Sequence, residues 1–142
     1  MVLYARDIVE TDFLSLPGSA TVLEAAKAMK GSRHGFAVVG PPNRPQGIVT
    51  EWDVLSKVVA EGRDPDKVTL GDIMSKDLLG IEESVGIAVV SQLMAEKGVR
   101  RLLVKRGGEV IGVITARTML ERLNDYVDNV TSQIGKLQAP WF

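Results

Sequence analysis

The sequence predicts an α/β (α+β) fold in which two β-α-β-β-α repeats, related by a pseudo-twofold axis, pack together through their sheets. Three observations carry this expectation. The stretches "GIVTEWD" at 47–53 and "GVITART" at 112–118 share a glycine, two β-branched residues and a threonine, 65 residues apart. Around them, "TVLEAAKAMKGSRHGFAVVG" has a counterpart in "SVGIAVVSQLMAEKGVRRLLVK", with shifts of one or two residues in loops. Finally, half of a 142-residue chain would be marginal alone, so two halves need a shared core.

Taken in order, the first repeat opens with "RDIVETDFLSL", followed by a helix in which Val22, Ala25, Ala26 and Met29 fall on one face at i, i+3, i+4 and i+7. The apolar run "FAVV" then reads as a strand and "QGIVT" as its hairpin partner, with the proline-rich "GPPNRPQ" as a stiff loop between them. A helix follows in "EWDVLSKVVAEG", presenting Val54, Leu55, Val58 and Val59. The polar, proline-containing "GRDPDKVTLGDIMSKD" reads as the link between halves. In the second repeat Ile87, Val90 and Met94 restate the helical face, and "RLLV" and "VIGVIT" form the hairpin. Gly107 and Gly108 suit a two-residue turn because both can take positive φ. The last helix, "ARTMLERLNDYVDNVTSQIGKL", carries Leu120, Leu123, Val127, Val130 and Ile134 at alternating spacings of three and four, a stripe that packs one helix on another. It serves either the chain's own core or a neighbour, and Trp141 and Phe142 beyond it are expected to pack on one or the other. The expected boundaries are 1–66 for the first repeat, 67–125 for the second and 126–142 for a C-terminal helical extension and tail.

Composition narrows the function classes. A formal charge of −1, with 45% apolar and 25% charged residues, supplies no global basic field for nucleic acid, and aromatics are only 5%. With no cysteine and one histidine, a thiolate or multi-histidine metal site is ruled out. No apolar run reaches the roughly 18 residues of a membrane span, and "MVLYARDIVE" lacks the pattern of a signal peptide, so a cytoplasmic protein is expected. Neither a P-loop nor a nucleophile–base pair is present.

The strand end "GIVTEWD" is where chemistry concentrates. Thr50 falls at the N-cap of the following helix, where its hydroxyl and free backbone N–H groups suit a phosphate. Asp53 lies one turn on, and its carboxylate can accept two hydrogen bonds from the vicinal hydroxyls of a ribose. The same pair also serves simply as a helix cap, worth about 0.5–2 kcal/mol.

On its ordered features the chain resembles a stand-alone tandem CBS-domain pair, or Bateman module, over about residues 5–125. Those features are "RDIVETDFLSL" and "GDIMSKDLLGI" opening the repeats, "TVLEAAKAM", "GVRRLLV" and the two strand ends. The resemblance implies a non-catalytic regulatory module that binds an adenine nucleotide between the repeats: AMP foremost, ADP or ATP as alternatives, and no cofactor. It implies Thr50 for phosphate and Asp53 for ribose. Arg100 is the arginine chosen to reach phosphate, since Arg100 and Arg101 alternate across the strand and only one can enter a given cleft. Arg117 matches a position that can carry a phosphate-binding lysine. His34 is placed at the Arg100-like position of the first repeat. For the base, the resemblance points to Leu78 and Leu79, with Ile48 on the other side of the ring.

The second strand end keeps Thr115 but has Thr118 where Asp53 would stand, losing the charged acceptor. One occupied site, around Asp53, is therefore expected, with Thr115 and Arg117 serving it across the pseudo-twofold axis and the second cleft empty or weak. Charge favours a ligand with one or two phosphates over S-adenosylmethionine. Occupancy would be passed to an unidentified regulated protein or to the oligomer, a homodimer through the CBS helices. Two other classes compete: a dimeric scaffold without ligand, and an enzyme acting on a nucleotide through Asp53, Glu51 or His34.

Overall fold

The computed structural model describes residues 3–138, and Trp141 and Phe142 lie outside them. Two three-stranded sheets stand at the centre, with strand orders β1-β2-β3 and β4-β5-β6. In the first, β1 (Ser15–Leu16) runs parallel to β2 (Phe36–Val39), which pairs antiparallel with β3 (Gly47–Thr50). In the second, β4 (Gly80–Glu82) runs parallel to β5 (Arg101–Arg106), which pairs antiparallel with β6 (Glu109–Thr115). The repeat in sequence is thus a repeat in topology.

The helices follow the expected faces. In α2 (Val22–Ser32), Val22, Ala25 and Met29 are buried, and the Thr21 hydroxyl accepts from the Glu24 N–H at 3.1 Å while Glu24 accepts from Thr21 N–H at 3.2 Å. In α5 (Ile87–Lys97) it is Val90 and Met94 that are buried. Between β5 and β6 the two-residue turn forms as expected, with Gly107 at φ 58° and Gly108 at φ 82°. By contrast, the helix after β3 is only partly regular. The single turn α3 (Glu51–Val54) opens into a π-helical segment, Leu55–Val59, so that Val58 is buried while Leu55 and Val59 are exposed. Widening the helix to i→i+5 hydrogen bonds rotates the apolar positions off a single face.

Three apolar clusters show where the core sits. Each repeat has one between its sheet and its helices. A third joins Phe36, Val38, Leu103, Val110 and Val113 where the sheets meet on the pseudo-twofold axis. Strand β2 is buried at every position for this reason: Ala37 and Val39 face helices, Phe36 and Val38 the other sheet.

The two lead-in segments are more ordered than the sequence suggests, and they change sides. A one-turn helix α1 (Ala5–Ile8) places Ala5 and Ile8 in the core of the second repeat, with Ala5 N–H donating to Val85 O at 2.8 Å. Its counterpart α4 (Leu70–Ile73), inside the stretch read as a polar link, places Leu70 and Ile73 in the core of the first, with Leu70 N–H donating to Ala20 O at 2.9 Å. The packing units therefore cross the expected boundary at 66/67.

The last helix, α6 (Ala116–Gln138), packs on the second core through Ala116 and Met119. Past that point Leu120, Leu123, Tyr126, Val127 and Ile134 are exposed and only Val130 of the stripe is half-buried, so the stripe is mostly not intramolecular core. Among the described residues no helix is long and apolar enough to cross a membrane.

Candidate functional site

At the end of β3, Thr50 has extended backbone and turns the chain into α3. Its hydroxyl accepts from Asp53 N–H at 3.3 Å, and the Asp53 Oδ2 accepts from Thr50 N–H at 2.8 Å and from the Thr50 hydroxyl at 3.2 Å. Lys57 Nζ lies 3.1 Å from Asp53 Oδ1. The cap is therefore real. It also fixes a carboxylate, 13% exposed, on the wall of a cleft, and its four lone-pair positions are not exhausted by these partners. Of the free amides expected at this helix start, Glu51 N–H donates to Gly35 O and Asp53 N–H to Thr50 Oγ1, which leaves Trp52 N–H without a partner among the described residues.

This cleft, of about 360 Å³, gathers Ile48, Thr50, Asp53, Leu78, Leu79 and Arg100, six of the nine residues expected at the site. Leu78 N–H is taken by Lys76 O and Leu79 O by Leu103 N–H, which leaves Leu79 N–H without a backbone partner among the described residues. Trp52, Asp77 and Arg101 also line it, although the sequence reading singled out none of them. Arg101 is the main correction. Arg100 is exposed, whereas Arg101 is half-buried with its guanidinium 5.2 Å from the Phe36 ring centroid, and both line this cleft. Alternation along the strand puts their Cβ atoms on opposite faces, but long side chains at a strand end reach round to the same space. Partial burial, with the Arg100 charge alongside, pulls Arg101 below the ordinary arginine pKa, while Glu51 and Asp53 pull the other way. An anion between the two arginines would relieve both penalties.

Thr115, Arg117 and His34 are not in that cleft. They line a second and larger one, of about 780 Å³, which shares with the first only Arg100 and Arg101. Each strand end serves the cleft on its own side of the axis, so Thr115 and Arg117 do not cross over to Asp53. Arg117 is exposed and pairs with Glu121 at 3.1 Å. Nor is His34 the counterpart of Arg100. Glu51 N–H bonds to Gly35 O as Ala116 N–H bonds to Arg100 O, so Gly35 holds the Arg100 position and His34 that of Val99. Both repeats have a left-handed residue at the end of the preceding helix, Arg33 at φ 60° and Gly98 at φ 63°, which fixes this register. The His34 Nδ1 is buried with no hydrogen-bond partner among the described residues.

The expectation that the second cleft lacks a carboxylate also needs correction. Glu10 Oε1 accepts from the Thr118 hydroxyl, which is 2.9 Å from the Thr115 hydroxyl. Setting "RDIVETDFLSL" over "GDIMSKDLLGI" aligns Glu10 with Ser75, and that comparison was the signal available in the sequence. Among the described residues, no cluster of three or more His, Cys, Asp or Glu side chains could hold a metal ion.

Residues 5–60 and 70–125 each match the CBS domain family. An uncharacterized protein of Methanopyrus kandleri is 34% identical over 87% of this chain, and a mitochondrial CBS domain-containing protein of Arabidopsis thaliana 30% identical over 75%. The aligned regions span 65% and 60% of those relatives' lengths. Among solved structures, a CBS domain protein of Pyrobaculum aerophilum complexed with AMP superposes with a TM-score of 0.73 at 27% identity, over 82% of this chain and 89% of that one. A hexameric CBS-CP12 protein from bloom-forming cyanobacteria gives 0.77 at 29% identity, over 99% and 84%.

Proposed function

The chain belongs to the CBS domain family, as a tandem pair, and on that footing we propose that it is a non-catalytic regulatory module that binds an adenine nucleotide, AMP foremost, in the cleft around Asp53. The observation that carries the reading is the meeting, in one cleft of about 360 Å³, of a fixed carboxylate, an apolar wall and two arginines. That volume and mix suit a nucleoside phosphate. Asp53 would accept from the ribose hydroxyls, Arg100 and Arg101 would hold the phosphate, and Leu78, Leu79 and Ile48 would flank the base. ADP and ATP fit the same scheme with more charge at the arginines. The Pyrobaculum relative's complex with AMP supports this ligand class.

Binding regulates only if two conformations hold the ligand differently. Because the cleft walls come from both repeats, occupancy bears on their relative placement, and through it on a regulated protein or on the assembly. A homodimer is the assembly proposed, favoured by the exposed Trp52, Leu55, Val59 and Val89 on the CBS helices and by the exposed stripe of α6. The hexameric cyanobacterial relative is consistent with self-association.

Calorimetric titration of AMP, ADP, ATP and S-adenosylmethionine into wild type and Asp53→Ala tests the reading. Loss of a charge-assisted acceptor, worth about 1.5–3 kcal/mol per bond, should weaken the nucleotide at this cleft at least tenfold. If none of the four binds wild type, Thr50 and Asp53 are a helix cap and no more.

A further inference from the structure

Asp53 is held from a second side by a residue that is not on the cleft wall. Lys57 Nζ lies 3.1 Å from Asp53 Oδ1 and donates to Ile73 O at 2.9 Å. One ammonium thus ties the carboxylate to the last residue of α4, from which the chain runs through Ser75, paired with Ile48, to Leu78 and Leu79 on the cleft wall. The bridge starts in the π-helical segment Leu55–Val59, and Ile73 at its far end is buried in the core of the first repeat. An exposed i,i+4 ion pair fixes little, because both side chains move freely. Here the carboxylate is 13% exposed and the ammonium has a backbone anchor as well. At the matching places after β6 stand Thr118 for Asp53 and Arg122 for Lys57, and Arg122 makes no such bridge among the described residues. The bridge goes with the carboxylate.

What the bridge leaves open follows from counting acceptor positions, of which a carboxylate has about four. On Asp53 Oδ2 two are taken, by Thr50 N–H at 2.8 Å and by the Thr50 hydroxyl at 3.2 Å. On Oδ1 Lys57 takes one, so one remains there. We propose that Lys57 is the positioning residue of this cleft, fixing Asp53 so that the remaining position on Oδ1 takes one ribose hydroxyl and not the pair. The assignment rests on the Asp53 cleft taking a nucleotide, and it deepens that reading into selectivity between the two hydroxyls. Without the ammonium the carboxylate is tethered through Oδ2 alone, and the hydroxyl loses a prearranged acceptor. The effect of Lys57 on the nucleotide is carried by Asp53.

The test is calorimetric titration of AMP, 2′-deoxy-AMP and 3′-deoxy-AMP into wild type, Asp53→Ala and Lys57→Met, with the binding that D53A abolishes taken as the signal of this cleft. Methionine keeps an unbranched side chain of similar length and removes the donor, and urea midpoints check folding. In wild type, loss of one hydroxyl should weaken binding roughly tenfold or more, and loss of the other should leave it almost unchanged. In K57M, AMP should fall to the affinity of the sensitive deoxynucleotide, whose own binding should not change. Wild type alone decides the first half: equal weakening by both deoxynucleotides, or by neither, overturns the single-hydroxyl rule whatever K57M does. Unchanged or tighter AMP binding in folded K57M, still abolished by D53A, would make Lys57 a bystander or a competitor and overturn the proposal while leaving the nucleotide cleft standing. A K57M that weakens all three nucleotides alike would make Lys57 a structural residue only and overturn it equally. No AMP binding to folded wild type, or binding that D53A leaves intact, would sink the cleft reading and this one with it.

Discussion

Replacing Gly112 by alanine should be among the most damaging single-methyl additions to this protein. A Cβ there falls against the Glu10 carbonyl oxygen and 2.5 Å from Val9 Cγ2, and the first of these is backbone. Relief requires the lead-in segment to retreat, which breaks the two hydrogen bonds between Glu10 and Val113, both 2.9 Å. At about 0.5–1.5 kcal/mol each these contribute about 1–3 kcal/mol, and overpacking adds about 1–3 more, for a total of roughly 2–6 kcal/mol. A domain of this size is stable by about 5–15 kcal/mol, so the loss is a large share. With a urea m-value of about 2 kcal/mol/M, the unfolding midpoint should fall by roughly 1–3 M. Gly31→Ala is the internal control. Nothing lies within 4 Å of its Cβ, it sits inside α2, and it should stabilise by about 0.5–1 kcal/mol. A Gly112→Ala midpoint within about 0.3 M of wild type would refute the close approach of the lead-in segment to β6.

Thr21→Ala removes the reciprocal cap on α2 and should cost about 0.5–2 kcal/mol in urea unfolding, with an unchanged m-value. Arg106 holds the Glu83 carboxyl below its usual range through hydrogen bonds of 2.7 and 2.9 Å. A carboxylate with a lowered folded-state pKa stabilises above its unfolded pKa, near 4.3, and loses that contribution as pH falls through the folded value. The difference in melting temperature between wild type and Arg106→Gln should therefore shrink from pH 6 to pH 3, and a constant or growing difference would contradict it. Leu123→Glu combined with Val127→Glu should shift sedimentation toward the monomer with little change in the monomer's own stability, since both side chains are about half exposed. An unchanged sedimentation profile would show that the stripe does not mediate self-association.

What could be read in the sequence was what local spacing controls. The apolar faces of α2 and α5, the two-glycine turn at 107–108 and the duplicated strand ends each follow from a few neighbouring residues. Long-range placement was not visible. Leu70 and Ile73 sit in a polar, proline-containing stretch, and nothing nearby says that they fill the core of the preceding repeat. The same holds for the site. Ile48, Thr50 and Asp53 could be found because they are contiguous with a helix start, whereas Glu10 becomes meaningful only beside Thr118 across the fold. Arg101 was passed over because strand alternation describes Cβ directions and not the reach of a guanidinium.

The crossing of the lead-in turns bears on how the protein is made. Ala5 and Ile8 leave the ribosome well before Leu102, Val104 and Ile114, which close the core that receives them. About a hundred residues must be synthesised in between, which at roughly 5–20 residues per second means a wait of roughly 5–20 s. Throughout that interval the first repeat can already be folding, but it is sealed only once Leu70 and Ile73 emerge. The earlier-made segment is therefore fitted into a part of the fold made about a hundred residues later, and a nascent chain stalled near residue 100 would display an unburied Ile8.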